Sequence, residues 1–338
     1  MMEEMYHTRP ETGETSMIFP KPQTNPPRDL RQRVSSMTVC IAAIAADSKA
    51  IVCIADRAVT YAGYAANSES DSGVAKIIDL PGNWCALFSC ENLTLPKRIL
   101  DRIAQALSNK PIVTFQEIET AAREAFNHFW WKELEEQFLT PILLTKDDFW
   151  ARPTNIQPLD SELILKVTEK MSEHKQYCSI IFCGFEGDTP HLFVVSTPCQ
   201  VDLYDWQGFA VVGAGIETAR NQMLWAQYDQ EDSLASVLYD VFNAKVATEV
   251  LQALGYAWNW RLIVPGQKPE PLPKDIDKLI DKLWIESNQS PFGEKSRRKP
   301  EIIEEWKKKV RAFTAAALAS SKKSKTKPPT PNEPNDQP

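Results

Sequence analysis

The chain has 338 residues, 43 % of them hydrophobic, which is enough to bury one large core or two smaller ones. A formal net charge of −7 excludes a basic, nucleic-acid-binding surface over the whole molecule. No apolar run approaches the roughly 20 residues that a spanning helix needs, and no signal-peptide pattern opens the chain, so no membrane partner is expected and the cytoplasm is the default compartment.

Residues 1–36 are polar and carry Pro10, Pro20, Pro22, Pro26 and Pro27 with Arg28, Arg31 and Arg33. Such a composition predicts disorder. Three accounts fit this arm: a propeptide removed to expose Thr38, a retained arm, or a misassigned start with Met37 as the initiator. Met37 sits directly before the first apolar run, which favours the third.

A block of short apolar runs follows. Thr38-Val39-Cys40-Ile41-Ala42-Ala43-Ile44-Ala45 is broken by Asp47-Ser48, and Ala50-Ile51-Val52-Cys53-Ile54-Ala55 then ends in Asp56-Arg57. After a polar loop come Lys76-Ile77-Ile78-Asp79-Leu80 and Trp84-Cys85-Ala86-Leu87-Phe88-Ser89. These read as strands, and their near-continuous hydrophobicity predicts cover on both faces. Leu95, Ile99, Ile103 and Leu107 predict a helix over 94–108. Thr114 with Glu117 forms a capping box for a second helix reaching about Phe138.

Residues 139–158 read as irregular, with Pro141, Pro153 and Pro158, and a shorter helix is predicted for 161–173. Strands resume over 177–185, 191–196, 200–204 and 209–212, the last closing on Gly213-Ala214-Gly215. Those glycines fit a tight turn better than a phosphate cradle. Two helices, 217–228 and 233–253, lead to a last strand over 257–264. Pro265, Pro269, Pro271 and Pro273 form a linker, followed by helical stripes at Ile276, Leu279, Ile280, Leu283 and Trp284 and again over 300–318. The second stripe lies beside Lys307, Lys308 and Lys309. It suits a helix folding back on its own domain better than a partner-docking helix. The tail from Ser320 is of low complexity and is expected to be disordered.

The seven cysteines (Cys40, Cys53, Cys85, Cys90, Cys178, Cys183, Cys199) lie in or beside apolar runs and include no C-x-x-C pair. Reduced, buried thiols are expected. The four histidines are scattered, so no metal site and no cofactor are expected.

Three polar residues punctuate the first strand block: Thr38 at its start, Asp56 at the end of the second run and Lys76 at the start of the third. In this order they resemble the start of a proteasome β subunit, the type family of N-terminal-nucleophile hydrolases, and Met-Thr-Val-Cys-Ile-Ala-Ala resembles the opening of a bacterial proteasome-like group. The resemblance covers about residues 38–265, including the run from Gly208 to Gly215. It implies an α+β fold, a four-layer αββα sandwich of antiparallel sheets, with residues 1–37 as an arm, 266–319 as a linker and helical extension, and 320–338 as a tail. It also implies a threonine-type hydrolase acting on peptide or amide substrates, assembled as a homo-oligomer. No residue bears on an ATPase companion.

In such a site the Thr38 hydroxyl is the nucleophile and its own α-amino group, with a pKa of roughly 7.7–8.0 when unperturbed, is the base. Lys76 lowers that pKa, and Asp56 is its counter-ion. The oxyanion-hole position falls on the Cys90 backbone, where a side chain is expected to intrude. Arg57 and Glu249 are supporting candidates. The Met37 that precedes Thr38 departs from the family's glycine, and the family's late Asp and Ser-Gly motif has only Gly255 as a counterpart in Leu251-Gln252-Ala253-Leu254-Gly255. Singly, Thr38 is an ordinary strand-starting threonine, Asp56-Arg57 a strand-end turn and Lys76 a solvated lysine; the joint order carries the catalytic reading. The second class of reading is a non-catalytic structural or binding subunit of the same fold.

Overall fold

The structure, a computed structural model, describes residues 38–57, 59–61, 68–70, 75–151, 161–174, 176–249, 258–288 and 300–325. All of them belong to one compact unit spanning Ser35–Pro338. The arm over 1–37 lies outside the described residues, as do the late segment 251–255 and the tail beyond 325.

The strand block forms β1 (Val39–Ala45), β2 (Ala50–Asp56), the short β3 (Val59–Tyr61) and β4 (Ser68–Ser70), then β5 (Ile77–Leu80) and β6 (Trp84–Cys90). Two helices follow, α1 (Thr94–Leu107) and α2 (Phe115–Leu134). The predicted capping box is present: the Glu117 N–H donates to Thr114 Oγ1 at 3.3 Å, and the Thr114 N–H donates to Glu117 Oε2 at 2.9 Å. The helix gives way at Leu134 to a wider π-type turn over Glu135–Leu139, short of the expected Phe138.

Part of the segment expected to be irregular is helical: α3 spans Lys146–Ala151. Its signal is a second capping box, in which Thr145 Oγ1 accepts from the Asp148 N–H and Asp148 Oδ2 from the Thr145 N–H. Then come α4 (Ser161–Glu173), β7 (Cys178–Glu186), β8 (Thr189–Ser196), β9 (Gln200–Leu203), β10 (Phe209–Gly213), α5 (Ile216–Trp225), α6 (Leu234–Thr248) and β11 (Trp258–Ile263). Two more helices, α7 (Lys274–Asn288) and α8 (Pro300–Lys325), end the described chain. The helix therefore continues through the first residues of the tail that was expected to be disordered.

The fold is α+β with two main antiparallel sheets, ordered β10-β1-β2-β11 and β5-β6-β7-β8-β9. Alternation along each strand explains how apolar runs without polar breaks are used. In β1 and β2, Val39, Ile41, Ala43, Val52 and Ile54 share a core with α5, α6, α7 and α8. Their neighbours Cys40, Ala42, Ile44, Ile51 and Cys53 meet Cys85, Leu87, Ile181, Cys183 and Val194 of the other sheet. That second sheet turns Trp84, Phe88, Ile180, Phe182 and Phe193 toward α1 and α2. Every residue of β1, β2 and β6 is buried, as strands covered on both faces require.

The Pro-rich segment after β11 is held to the domain. Leu262 and Glu270 exchange two backbone hydrogen bonds, and Leu272, Ile276, Ile280, Leu283, Trp306 and Val310 join the α6 core. The described cysteines are free thiols, and all but Cys199 are buried. Among the described residues no helix is long and apolar enough to cross a membrane, and no cluster of His, Cys, Asp or Glu is arranged to hold a metal.

Candidate active site

The hairpin of β1 and β2 determines where the site lies. The two strands pair antiparallel with Cys40 opposite Ala55, so the start of β1 lies beside the end of β2. Thr38 and Asp56 are thereby brought together at one end of the sheet's two central strands. Lys76, just ahead of β5, comes from the opposing sheet.

The three side chains meet. Lys76 Nζ donates to Thr38 Oγ1 at 2.7 Å and to Asp56 Oδ1 at 2.8 Å. All three are buried, with exposures of 3 % for Thr38, 0 % for Asp56 and 2 % for Lys76. Two of the ordinary readings do not fit this arrangement: Lys76 is not solvated, and Asp56 is not a surface turn residue; Thr38 does stand at the start of a strand. Burial pushes the Asp56 carboxyl above the usual carboxylate range, opposed by the Lys76 charge and hydrogen bond and by the more distant Lys245. Burial and the Asp56 charge push the neighbouring Cys40 thiol far up, so it stays protonated, and it donates to the Phe88 carbonyl at 3.3 Å.

The other sequence candidates fall around this trio in different ways. Arg57 is half-buried, and its Nε has no hydrogen-bond partner among the described residues. Cys90 ends β6 with its side chain in the core beneath α1, beside Cys178 of β7. The expected intrusion of that side chain does not occur, because alternation along β6 turns Trp84, Ala86, Phe88 and Cys90 away from the other sheet. Glu249 caps the end of α6 and is ion-paired with Lys245, one turn earlier, without touching Thr38 directly.

Lys245 and Ser89, which sequence reasoning did not single out, and Gly213, which it read only as part of a tight turn, lie around the site. Lys245 is fully buried, and its Nζ lies 4.5 Å from the centroid of the Trp258 ring. Its signal was a lysine inside the apolar stripe Val241-Lys245-Thr248 with a glutamate four positions on. Ser89 is buried, and its Oγ has no partner among the described residues. Gly213 ends β10 at φ 111°, and its N–H donates to the Tyr177 hydroxyl at 3.3 Å. A Cβ on Gly213 would stand 1.8 Å from the Thr38 carbonyl oxygen and 3.3 Å from Ser89 Oγ. Close approach to Thr38, together with the left-handed φ, is what this glycine supplies.

A mostly apolar pocket of about 570 Å³ lies between β5, β6 and α1, reaching Ala75, the residue before Lys76. Ala75, Ile78, Phe88, Leu93 and Leu100 line it, with Lys97 and Asp101 at its polar side.

Chemically, the Thr38 oxygen is held by a buried cationic donor whose charge is balanced by a buried carboxylate. Such a donor stabilises negative charge developing on the hydroxyl oxygen, and the dry setting strengthens the effect. No protein-family model matches the chain, and no curated protein is similar to it.

Proposed function

We propose that the protein is a proteasome-like, threonine-type N-terminal-nucleophile hydrolase that cleaves peptide or other amide bonds. One observation carries this reading: Lys76 bridges the Thr38 hydroxyl and the Asp56 carboxylate, with all three groups buried. The packing supports it, since two antiparallel sheets face each other and helices cover both outer faces, in keeping with an αββα sandwich.

Thr38 must be the first residue, by removal of residues 1–37 or of an initiating Met37, because its α-amino group is the base. With the amine free, it accepts the proton from Oγ1 as Oγ1 attacks the scissile carbonyl carbon. Lys76 stabilises the oxygen as it becomes nucleophilic and keeps the neighbouring amine unprotonated by charge repulsion. The tetrahedral oxyanion is stabilised by backbone N–H groups, with Cys90 the proposed donor. Collapse expels the amine product, which takes the proton from the Thr38 amine and leaves an ester on Oγ1. Water, activated by the same amine, then releases the acid. The apolar pocket beside Ala75 suits an apolar side chain of the substrate. By resemblance to ring-forming relatives, the working form is a homo-oligomer.

The test is a chain engineered to begin at Thr38, incubated with a panel of fluorogenic peptides and with a β-lactone probe. Hydrolysis and covalent mass gain at Thr38, both lost in Thr38→Ala and Lys76→Met, support the reading. A folded chain with a free Thr38 amine that neither cleaves nor labels refutes it. The second reading, a non-catalytic subunit of the same fold, is favoured by the missing late Asp and Ser-Gly motif together with the N-terminal arm. Labelling of Thr38 by the probe excludes it.

A further inference from the structure

Lys245 is a buried cation that the trio of Thr38, Asp56 and Lys76 does not by itself explain. It lies on α6, in the layer behind the first sheet, with no exposed surface. Its Nζ lies over the Trp258 ring. Trp258 is the β11 residue paired directly with Asp56 of β2. Asp56 falls in step with Val52 and Ile54, the β2 residues that face α6. The ammonium is therefore within electrostatic reach of the Asp56 carboxylate.

A lysine is costly to bury, and a leucine or methionine would fill the space in α6 at less cost. Lys245 is not balanced by Asp56 alone. It forms an ion pair with Glu249, four residues on, whose side chain is 13 % exposed. The pair forms a buried relay from the protein's edge to the Asp56 carboxylate. We propose that Lys245 is a positioning residue of the Thr38 site, a second cation that keeps Asp56 charged and thereby holds Lys76 on the Thr38 hydroxyl. This inference rests on the hydrolase reading, which it deepens by naming a control on the same site.

The groups that face Asp56 among the described residues include Lys76 from the opposing sheet, Lys245 from α6 and, from β1, the neutral Cys40 thiol and the Val39 N–H. Those that face Lys245 include Glu249 on its own helix, Asp56, and the Trp258 ring from β11. Glu249 in turn faces Lys245 and, at longer range, Asp281 of α7. Removing the Lys245 charge leaves Asp56 with one buried cation, so its carboxyl binds a proton more readily. Neutralising Glu249 leaves Lys245 less screened, so Asp56 gives up its proton more readily.

The experiment is a carboxyl titration by 13C NMR of the full chain labelled at aspartate Cγ, with the Asp56 signal assigned by its loss in Asp56→Asn. In Lys245→Met the Asp56 midpoint should rise by about one pH unit. Lys245→Arg should restore it, and Glu249→Gln should lower it. An Asp56 midpoint that is the same in all four proteins overturns the proposal. If Lys245→Met does not fold, Glu249→Gln decides alone: a lower midpoint supports the proposal, and an unchanged or higher one overturns it. Peptide hydrolysis by the same variants, cut to begin at Thr38, is read separately. An acid limb that moves with the Asp56 midpoint joins the two readings. A moving midpoint in a protein that hydrolyses nothing keeps Lys245 as the second cation on Asp56 and removes the hydrolase.

Discussion

Lys76 Nζ lies 2.7 Å from Thr38 Oγ1, although the two residues are 38 positions apart and precede strands of different sheets. Asp56 holds the same ammonium at 2.8 Å. Removing the cation alone leaves a buried carboxylate with no partner charge in direct contact, which costs about 3–5 kcal/mol. Lys76→Met should therefore lower the urea-unfolding free energy by that amount. Lys76→Met combined with Asp56→Asn should recover much of it, because no buried charge remains unpaired. Additive losses in the double variant would mean that the two groups do not act as a pair.

Gly213 tests the positioning of Thr38 from the other side. An alanine there meets the Thr38 carbonyl oxygen at 1.8 Å and sits at φ 111°. Gly213→Ala should lower stability by about 1–3 kcal/mol. It should also reduce peptide hydrolysis further than the loss of folded protein explains, since the strand that carries Thr38 must move. Thermal unfolding and hydrolysis rates on the same sample check both parts.

The capping box of α2 predicts a pH effect remote from the site. The hydrogen bond from Lys110, then the Thr114 N–H, hold Glu117 at about 2, below its ordinary 4.5. A depressed carboxyl stabilises the folded chain above its ordinary value and loses that contribution as pH falls through its folded value. Between 4.5 and about 2 the wild-type urea midpoint should therefore fall more steeply than that of Glu117→Gln. Thr114→Ala should cost about 1 kcal/mol through the lost cap and leave peptide hydrolysis unchanged.

The C-terminal helices should behave as core. Trp306 is 3 % exposed, and its Nε1 donates to the Ala235 carbonyl at 3.2 Å. Trp306→Ala should cost about 3–5 kcal/mol, measured by chemical unfolding. A change below 1 kcal/mol would mean that α8 is an appendage rather than a part of the α6 core.

The succession of elements along the chain, apart from β3, β4 and α3, could be read directly, because apolar runs, turn residues and capping boxes act locally. The α4 boundaries, Ser161–Glu173, coincide with those expected. Thr38, Asp56 and Lys76 were visible as an ordered set, but their meeting depends on how two sheets face each other, which no local pattern encodes. The Cys90 side chain was misjudged because counting from Lys76 gives a position and not a face; alternation from Trp84 gives the face. Lys245 escaped notice because a lysine in an apolar helical stripe has no local sign of its partner across a β-strand. Thr145-Lys146-Asp147-Asp148 did signal α3, and the surrounding prolines hid it.

The most direct measurement is the N-terminal mass of the protein purified from its native cells. Thr38 can attack with its own amine as base only if residues 1–37 are gone. A chain that begins at Thr38 is the expected result. A chain that retains Met37 and the residues before it in the assembled protein would contradict the nucleophile, however close Lys76 stands to its hydroxyl.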